Sequence, residues 1–148
     1  GSTDAVHIMS ERISYKLRNQ HIGFKMSHTA RTYNVTVNHQ KQILCTTDGH
    51  PATWNDKTLV LFDEFVQGIH DGKILKNLEF ELFELNKKGK AVAAKYQGCW
   101  LLVDNGYLNW STTIPPMKIS FDRRECRWAE WIESMRKDVE CTFGILKG

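Results

Sequence analysis

The spacing of hydrophobic and polar residues predicts strands in the first third of the chain. Apolar and polar residues alternate over 3–9 and again over 31–38, which is the period of a strand with one buried face. The run 42–47 follows a tight connection and predicts the returning strand of a hairpin. The polar stretch 10–20 is interpreted as a loop. A sheet is therefore expected to begin the fold.

Two later segments have the period of a helix instead. From Asn55 apolar residues recur at steps of three and four, which predicts a helix that Asn55 or Asp56 caps and that ends near Gly72. A long helix is predicted from about Arg123 to Lys147. Its apolar stripe consists of Trp128, Trp131, Ile132, Met135, Val139 and Phe143. The two tryptophans and Met135 have core spacing, so they are interpreted as packing residues and not as a stacking platform.

Between the helices lie further strand signals. The arms 78–85 and 90–96 predict a charged hairpin, inserted at about 76–97, to which the sequence assigns no role. The continuous apolar run 99–103 predicts a strand buried on both faces, and 111–114 is a short extended piece. The order of strands, helix, hairpin, strands and long helix predicts an α/β sheet with helices packed on it.

Composition narrows the class of protein without assigning a function. The 148 residues are 41% hydrophobic and 25% charged, which is typical of one globular domain over 1–148 and not of a membrane span. Twenty basic against 17 acidic residues give a net charge of +3, which permits a nucleic-acid partner but does not argue for one. Four dispersed cysteines predict reduced, buried thiols. We expect the chain to be a piece of a longer protein, truncated at both ends.

Three acidic residues stand at unusual positions. Asp4 lies inside a predicted strand, Asp104 directly follows the buried run, and Glu140 lies on the last helix beside its apolar stripe. Carboxylates that converge from strand ends and a helix can hold a pair of divalent cations, which suits cleavage of a phosphodiester. A simpler interpretation remains open, since Asp104 can be a turn former and Glu140 can pair with Arg136 on a solvated face.

Four motifs carry a resemblance to a known family. They are Gly1-Ser-Thr-Asp4-Ala-Val-His7, Trp54-Asn-Asp56-Lys-Thr, Val103-Asp104-Asn-Gly-Tyr107 and Val139-Glu140-Cys-Thr-Phe-Gly144-Ile-Leu-Lys147. In this order they resemble the catalytic domain of Harbinger-type DDE transposases, in the branch called plant transposon protein. The resemblance implies an RNase H-like mixed sheet flanked by helices, and it maps the three catalytic, metal-binding acids onto Asp4, Asp104 and Glu140. The chain departs from the family in having Val6, where Gly or Thr is common, before His7.

The resemblance also implies a reaction and partners. The reaction is hydrolysis of DNA with two Mg²⁺ or Mn²⁺ ions, followed by attack of the new 3′-hydroxyl on target DNA. The implied partners are double-stranded DNA at transposon ends and target, a separate DNA-binding protein and further copies in an active oligomer; the implied location is the nucleus, with no membrane. The alternative is a domesticated or inactive transposase-derived domain that binds DNA or protein without chemistry.

A few other residues have open interpretations. Asp56 is favoured as a helix cap over a further acid of the metal shell. His7 is equally consistent with a structural histidine and with a phosphate contact. A basic, loop-rich segment can follow a DNA backbone or form a solvated surface. Its basic residues are Lys16, Arg18, Lys25, His28 and Arg31.

Overall fold

Strands and helices alternate along the chain in the computed structural model, which describes residues 1–23, 27–117, 119 and 121–147. The strands are β1 (Ser2–Met9), β2 (Ala30–Val37), β3 (Ile43–Thr46), β4 (His50–Pro51), β5 (Glu79–Leu85), β6 (Ala91–Gln97), β7 (Leu101–Leu102) and β8 (Thr113–Ile114). The α-helices are α1 (Asp56–Val60), α2 (Glu64–His70) and α3 (Arg123–Lys147), and a 3₁₀-helix spans Tyr15–Gln20 in the segment predicted as a loop.

β1 lies at the centre of the main sheet. It pairs antiparallel with β2 and parallel with β7, and the register places Ser2 opposite both Val37 and Leu102. The strand order is β3-β2-β1-β7-β8, and β4 also pairs with β2. This mixed sheet, flanked by helices, confirms the predicted fold class and is compatible with an RNase H-like arrangement.

Two apolar clusters attach the helices to the sheet. One joins α3 to β1 and β2 and consists of Val6, Val35, Val37 and Val139. The other joins α1 and α2 to β7 and the turn that follows it, and consists of Val60, Val66, Ile69, Leu101, Val103 and Tyr107. Because Ser2 pairs with Leu102 and side chains alternate along a strand, these clusters lie on opposite faces of the sheet. β1 is therefore buried from both sides.

The helix predicted from Asn55 is two helices. Asn55 caps α1 by accepting a hydrogen bond from the Thr58 N–H, so the cap is Asn55 and not Asp56. The helix is then interrupted, and the side chain of Asp63 caps α2 by accepting a hydrogen bond from the Val66 N–H. Phe62, which follows Leu59 by three residues in the apolar period of the predicted helix, is 56% exposed because it falls in this break. The periodicity was right in α2 but did not reveal the interruption.

The buried run 99–103 forms a shorter strand than predicted. Only Leu101 and Leu102 pair as β7, because the neighbouring strand β8 is itself two residues long. Leu101 and Val103 are fully buried, whereas Leu102 is half-buried. The run still crosses the centre of the sheet and delivers Asp104 to its end.

α3 has the predicted bounds, and Ile132 and Val139 of the predicted stripe are buried, but the rest of the buried set differs from the prediction. Its buried side chains are Ile132, Arg136, Val139 and Thr142. Trp128, Trp131 and Met135 are 46%, 60% and 58% exposed, so their assignment to the core was wrong. The sheet covers only a narrow strip of the helix: Trp131 lies beside that strip, and Trp128 is in line with it but precedes Ile132, the first buried residue.

The remaining predictions concern the second hairpin, the cysteines and membrane-spanning segments, and one of them was partly wrong. β5 and β6 form the predicted second hairpin, as a two-stranded sheet of its own. No disulfide joins the four cysteines, which all lie in the described residues, but Cys126 and Cys141 are exposed and the expected burial was wrong for them. Among the described helices, none has the length and apolar character needed to cross a bilayer.

Candidate functional site

Asp4 occupies a half-buried position in the middle of β1. The Ala5 N–H donates to its Oδ1 at 2.8 Å, and the Arg136 guanidinium on α3 donates to its Oδ2 at 3.2 Å. The Asp4 side chain is 18% exposed and that of Arg136 is 7% exposed. The charge that the sequence placed inside a strand is therefore held by a buried ion pair.

Asp104 lies directly after β7, at the same level as Asp4. The parallel pair Ser2–Leu102 lies two residues before both aspartates, so the register places Asp104, just past the end of β7, level with Asp4 within β1. The Gly106 N–H donates to Asp104 Oδ1 at 2.6 Å and closes a tight turn. The two aspartates that the sequence singled out thus belong to one site.

Asp56 is a third carboxylate at this site. A Cβ placed on Gly106 would lie 2.6 Å from Asp56 Oδ2 and 2.9 Å from Asp104 Oδ1, so the two carboxylates converge on one small space. Only a residue without a side chain fits between them. Because Asn55 provides the helix cap, Asp56 is left to point at the site from the first turn of α1.

The electrostatics of Asp4 reflect this crowding of acids. Burial raises the pKa of Asp4 from 3.8 to about 6; the Ala5 N–H and the Arg136 charge oppose the shift, while the charges of Asp104 and Asp56 add to it. Near pH 6, Asp4 therefore exchanges a proton readily. A carboxylate so destabilised in its charged form gains from any cation placed beside it.

A buried polar network lies under the site, and no pattern along the chain predicted it. Asn34 donates through Nδ2 to Asp63 Oδ2 at 2.6 Å and to Thr3 Oγ1 at 3.1 Å, and it accepts a hydrogen bond from the Tyr107 hydroxyl. Thr36 donates to Thr3 Oγ1 at 3.0 Å. The network ties β1 and β2 to α2 and to the turn after Asp104, so it fixes the frame that carries the aspartates.

The pKa of the Tyr107 hydroxyl reflects the same concentration of negative charge. Burial raises its pKa well above 10, and four aspartates raise it further. They are Asp4, Asp56, Asp104 and Asp63. The hydroxyl therefore stays protonated and remains a donor to Asn34.

Glu140, the third acid of the sequence hypothesis, is exposed on α3. The helix contact to Asp4 is made instead by Arg136, one turn earlier, which also binds Glu133 at 3.0 Å. Among the described residues, no three His, Cys, Asp or Glu side chains are close enough together to hold a metal ion. Position 136 falls within the buried strip, four after Ile132, and that spacing is the signal that could have identified it.

The other candidate residues lie away from the two aspartates or outside the described chain. His7 is three residues after Asp4 and so faces the other side of β1, where its Nδ1 lies 2.6 Å from the Thr32 hydroxyl. In the basic segment, the described members are exposed: Lys16, Arg18, His28 and Arg31. Lys25 lies outside the described residues.

Comparison with known proteins agrees with the family resemblance of the sequence. Residues 1–148 match the family described as "Plant transposon protein". No curated protein and no solved structure gives a significant match. The family match spans both aspartates, Glu140 and the inserted hairpin.

Proposed function

We propose that this chain, which belongs to the plant transposon protein family, is a DNA-cleaving catalytic domain that uses divalent metal. Asp4, Asp104 and Glu140 are its catalytic and metal-binding acids. The observation that supports the proposal is the parallel register of β1 and β7, which places Asp4 within β1 level with Asp104 at the carboxyl end of β7, where open α/β sheets place their ligands. Membership of the transposon family supports DNA as the substrate.

The donor chemistry of the site fits Mg²⁺ or Mn²⁺. Asp4, Asp104 and Asp56 supply carboxylate oxygens, which are the hard ligands that these ions prefer. A pair of such ions would supply Lewis-acid chemistry, which activates a water and stabilises the leaving oxygen of a phosphodiester. Asp56, interpreted from sequence mainly as a cap, is included here as a further ligand because of its approach to Asp104.

The chain itself orients the acids. The N–H groups of Ala5 and Gly106 each hold one carboxylate oxygen, at 2.8 and 2.6 Å, which fixes the direction of the other oxygen. The buried network around Asn34 makes the strand ends rigid, and such preorganisation is what positional catalysis requires. Hydrolysis at this site leaves a 3′-hydroxyl, which then attacks target DNA in the same site.

The proposal requires a rearrangement that involves Arg136 and Glu140, because no three carboxylates among the described residues lie close enough together to hold a metal ion. Arg136 must leave Oδ2 of Asp4 before that oxygen ligates a cation. Glu140 lies one helical turn further along α3, so a shift of that helix by about 6 Å along its axis, with about 40° of rotation, would bring position 140 to where Arg136 now lies. With Glu140 in the place of Arg136, the three proposed catalytic acids, Asp4, Asp104 and Glu140, would lie together.

The second candidate is a transposase-derived domain that binds DNA or protein without catalysis. The Asp4–Arg136 ion pair favours it, because it neutralises Asp4 without a metal and is itself a stable buried contact. Under either candidate we propose double-stranded DNA as a partner and the nucleus as the location. For the catalytic candidate we add a separate DNA-binding protein and assembly into an oligomer.

Nicking of supercoiled plasmid distinguishes the two candidates. We expect the chain to nick DNA with Mg²⁺ and not with EDTA, and Asp104→Asn and Glu140→Gln to abolish nicking. Glu130→Gln is the matched control, because Glu130 is also an exposed glutamate of α3. Wild-type nicking by Asp104→Asn would rule out the catalytic assignment, and no nicking by any form would favour the binding domain.

A further inference from the structure

One side of the first half of α3 carries arginines and exposed aromatic residues. We call it the Arg–Trp face, and it consists of Arg124, Arg127, Trp128, Trp131 and Met135. Trp128 and Trp131 are 46% and 60% exposed. Two large aromatic side chains left open on one helix are costly unless something covers them. The family's three acids lie elsewhere, so the proposed catalytic site does not use this face.

Helix geometry places these residues together. Arg124 and Trp128 are four positions apart, as are Arg127 and Trp131, so each arginine is a surface neighbour of a tryptophan. From Arg124 to Met135 the face extends about 16 Å along the axis. It therefore offers a strip of alternating charge and flat apolar surface, long enough for several units of a polymer.

No acid belongs to the Arg–Trp face itself, although Glu125 and Glu130 border it, three residues from Trp128 and from Arg127 respectively. At about 100° per residue, Glu125, Glu130 and Glu133 are each about 100° or more from Trp131. Among the described residues of α3, the next acid on the side of the Arg–Trp face is Asp138, which lies beyond Met135. The Arg–Trp face is thus positively charged although the helix as a whole is mixed.

A surface pocket with a volume of about 680 Å³ lies at the N-terminal end of the Arg–Trp face. It is lined by Asp122, Arg123, Arg124, Arg127, Trp128 and Trp131. The carboxylate of Asp122 accepts a hydrogen bond from the Arg124 N–H at 2.6 Å, so it serves the start of the helix. Three arginines against one engaged acid leave the surface pocket suited to an anionic ligand.

We propose that the Arg–Trp face binds unpaired DNA. Guanidinium groups contact phosphates, and exposed indole rings stack on bases that no partner strand covers, which is the combination that single-strand binding surfaces use. An acidic peptide would pair with the arginines but would leave the two exposed indole rings uncovered. In a symmetric contact with a second copy of the chain, the arginines of one copy would face those of the other and repel them. The choice of DNA over RNA rests on the proposed function.

The binding is tested by fluorescence anisotropy with a labelled oligothymidine of about 12 nucleotides, in EDTA. We expect Trp131→Ala to weaken binding at least about 5-fold, which corresponds to the lower end of about 1 kcal/mol for one stacked base. Arg124→Gln together with Arg127→Gln should lower the slope of log K against log salt by about 1.4, since each phosphate contact on a single strand contributes about 0.7.

The controls are Phe83→Ala and Lys87→Gln, an aromatic and a basic residue exposed on the β5–β6 hairpin, which should bind as the wild type does. Binding is measured in EDTA, where no nicking is expected, so that failure of nicking and failure of this proposal are separate results. Wild-type affinity in Trp131→Ala, with the fold intact by circular dichroism, overturns the proposal. Equal competition by polyglutamate, or a dimer that Trp131→Ala dissociates, overturns it as well.

Discussion

Replacing Asp4 with asparagine should change how the stability of the protein depends on pH. The folded-state pKa of Asp4 is about 6, against 3.8 for an ordinary aspartate. Between these values the folded state holds the proton more tightly than the unfolded state, so unfolding releases a proton and rising pH favours unfolding. The stability that protonated Asp4 gives at low pH is therefore lost as pH rises through about 6.

The size of the effect follows from that shift. About two pKa units correspond to at most about 3 kcal/mol of unfolding free energy. Asparagine does not titrate, so the stability of Asp4→Asn relative to wild type should increase by about 2–3 kcal/mol between pH 4 and pH 7.5. The contribution of Arg136 is already contained in the pKa of Asp4, so it does not alter the sign.

Urea unfolding followed by tryptophan fluorescence at the two pH values measures this difference. Glu130→Gln, which removes an exposed carboxylate from α3, should give the same difference from wild type at both pH values. Parallel stability profiles for wild type and Asp4→Asn would refute the reasoning, because they would mean that Asp4 titrates as an ordinary surface aspartate.

Two further substitutions probe the frame of the site. Tyr107→Phe should cost about 1–2 kcal/mol in urea unfolding, because the buried Asn34 Oδ1 loses its donor; an unchanged unfolding midpoint would contradict the network. Gly106→Ala should abolish nicking, because its Cβ meets Asp56 Oδ2 at 2.6 Å. Gly144→Ala meets open space and should be neutral or stabilise α3 by up to about 1 kcal/mol, and equal nicking by the two alanine variants would contradict the crowding of carboxylates.

The elements predicted from sequence were right where the pattern was long. α3 runs from Arg123 to Lys147 as the periodicity indicated, and β1, β2 and the inserted hairpin lie where alternation placed them. The prediction was wrong at short elements: a buried polar cap at Asp63 divides one expected helix in two. A period of several turns averages out local errors, whereas a break depends on a single tertiary contact.

The candidate site was predicted in part for a similar reason. Asp4 and Asp104 each interrupt an apolar segment at a strand, so their positions were visible along the chain. The contacts that position them are not periodic: Arg136 reaches Asp4 across 132 residues of sequence, and Tyr107 reaches Asn34 across 73. Such pairs become apparent only once the sheet is assembled.

Binding of Mn²⁺, followed by the loss of its free-ion signal in electron paramagnetic resonance, tests most directly whether these carboxylates form a metal site. Wild type and Glu130→Gln should both bind Mn²⁺, with Mg²⁺ competing, whereas Asp4→Asn and Asp104→Asn should each bind it far more weakly. Equal Mn²⁺ binding by wild type and Asp104→Asn, or none by the wild type at millimolar metal, would contradict the proposed site.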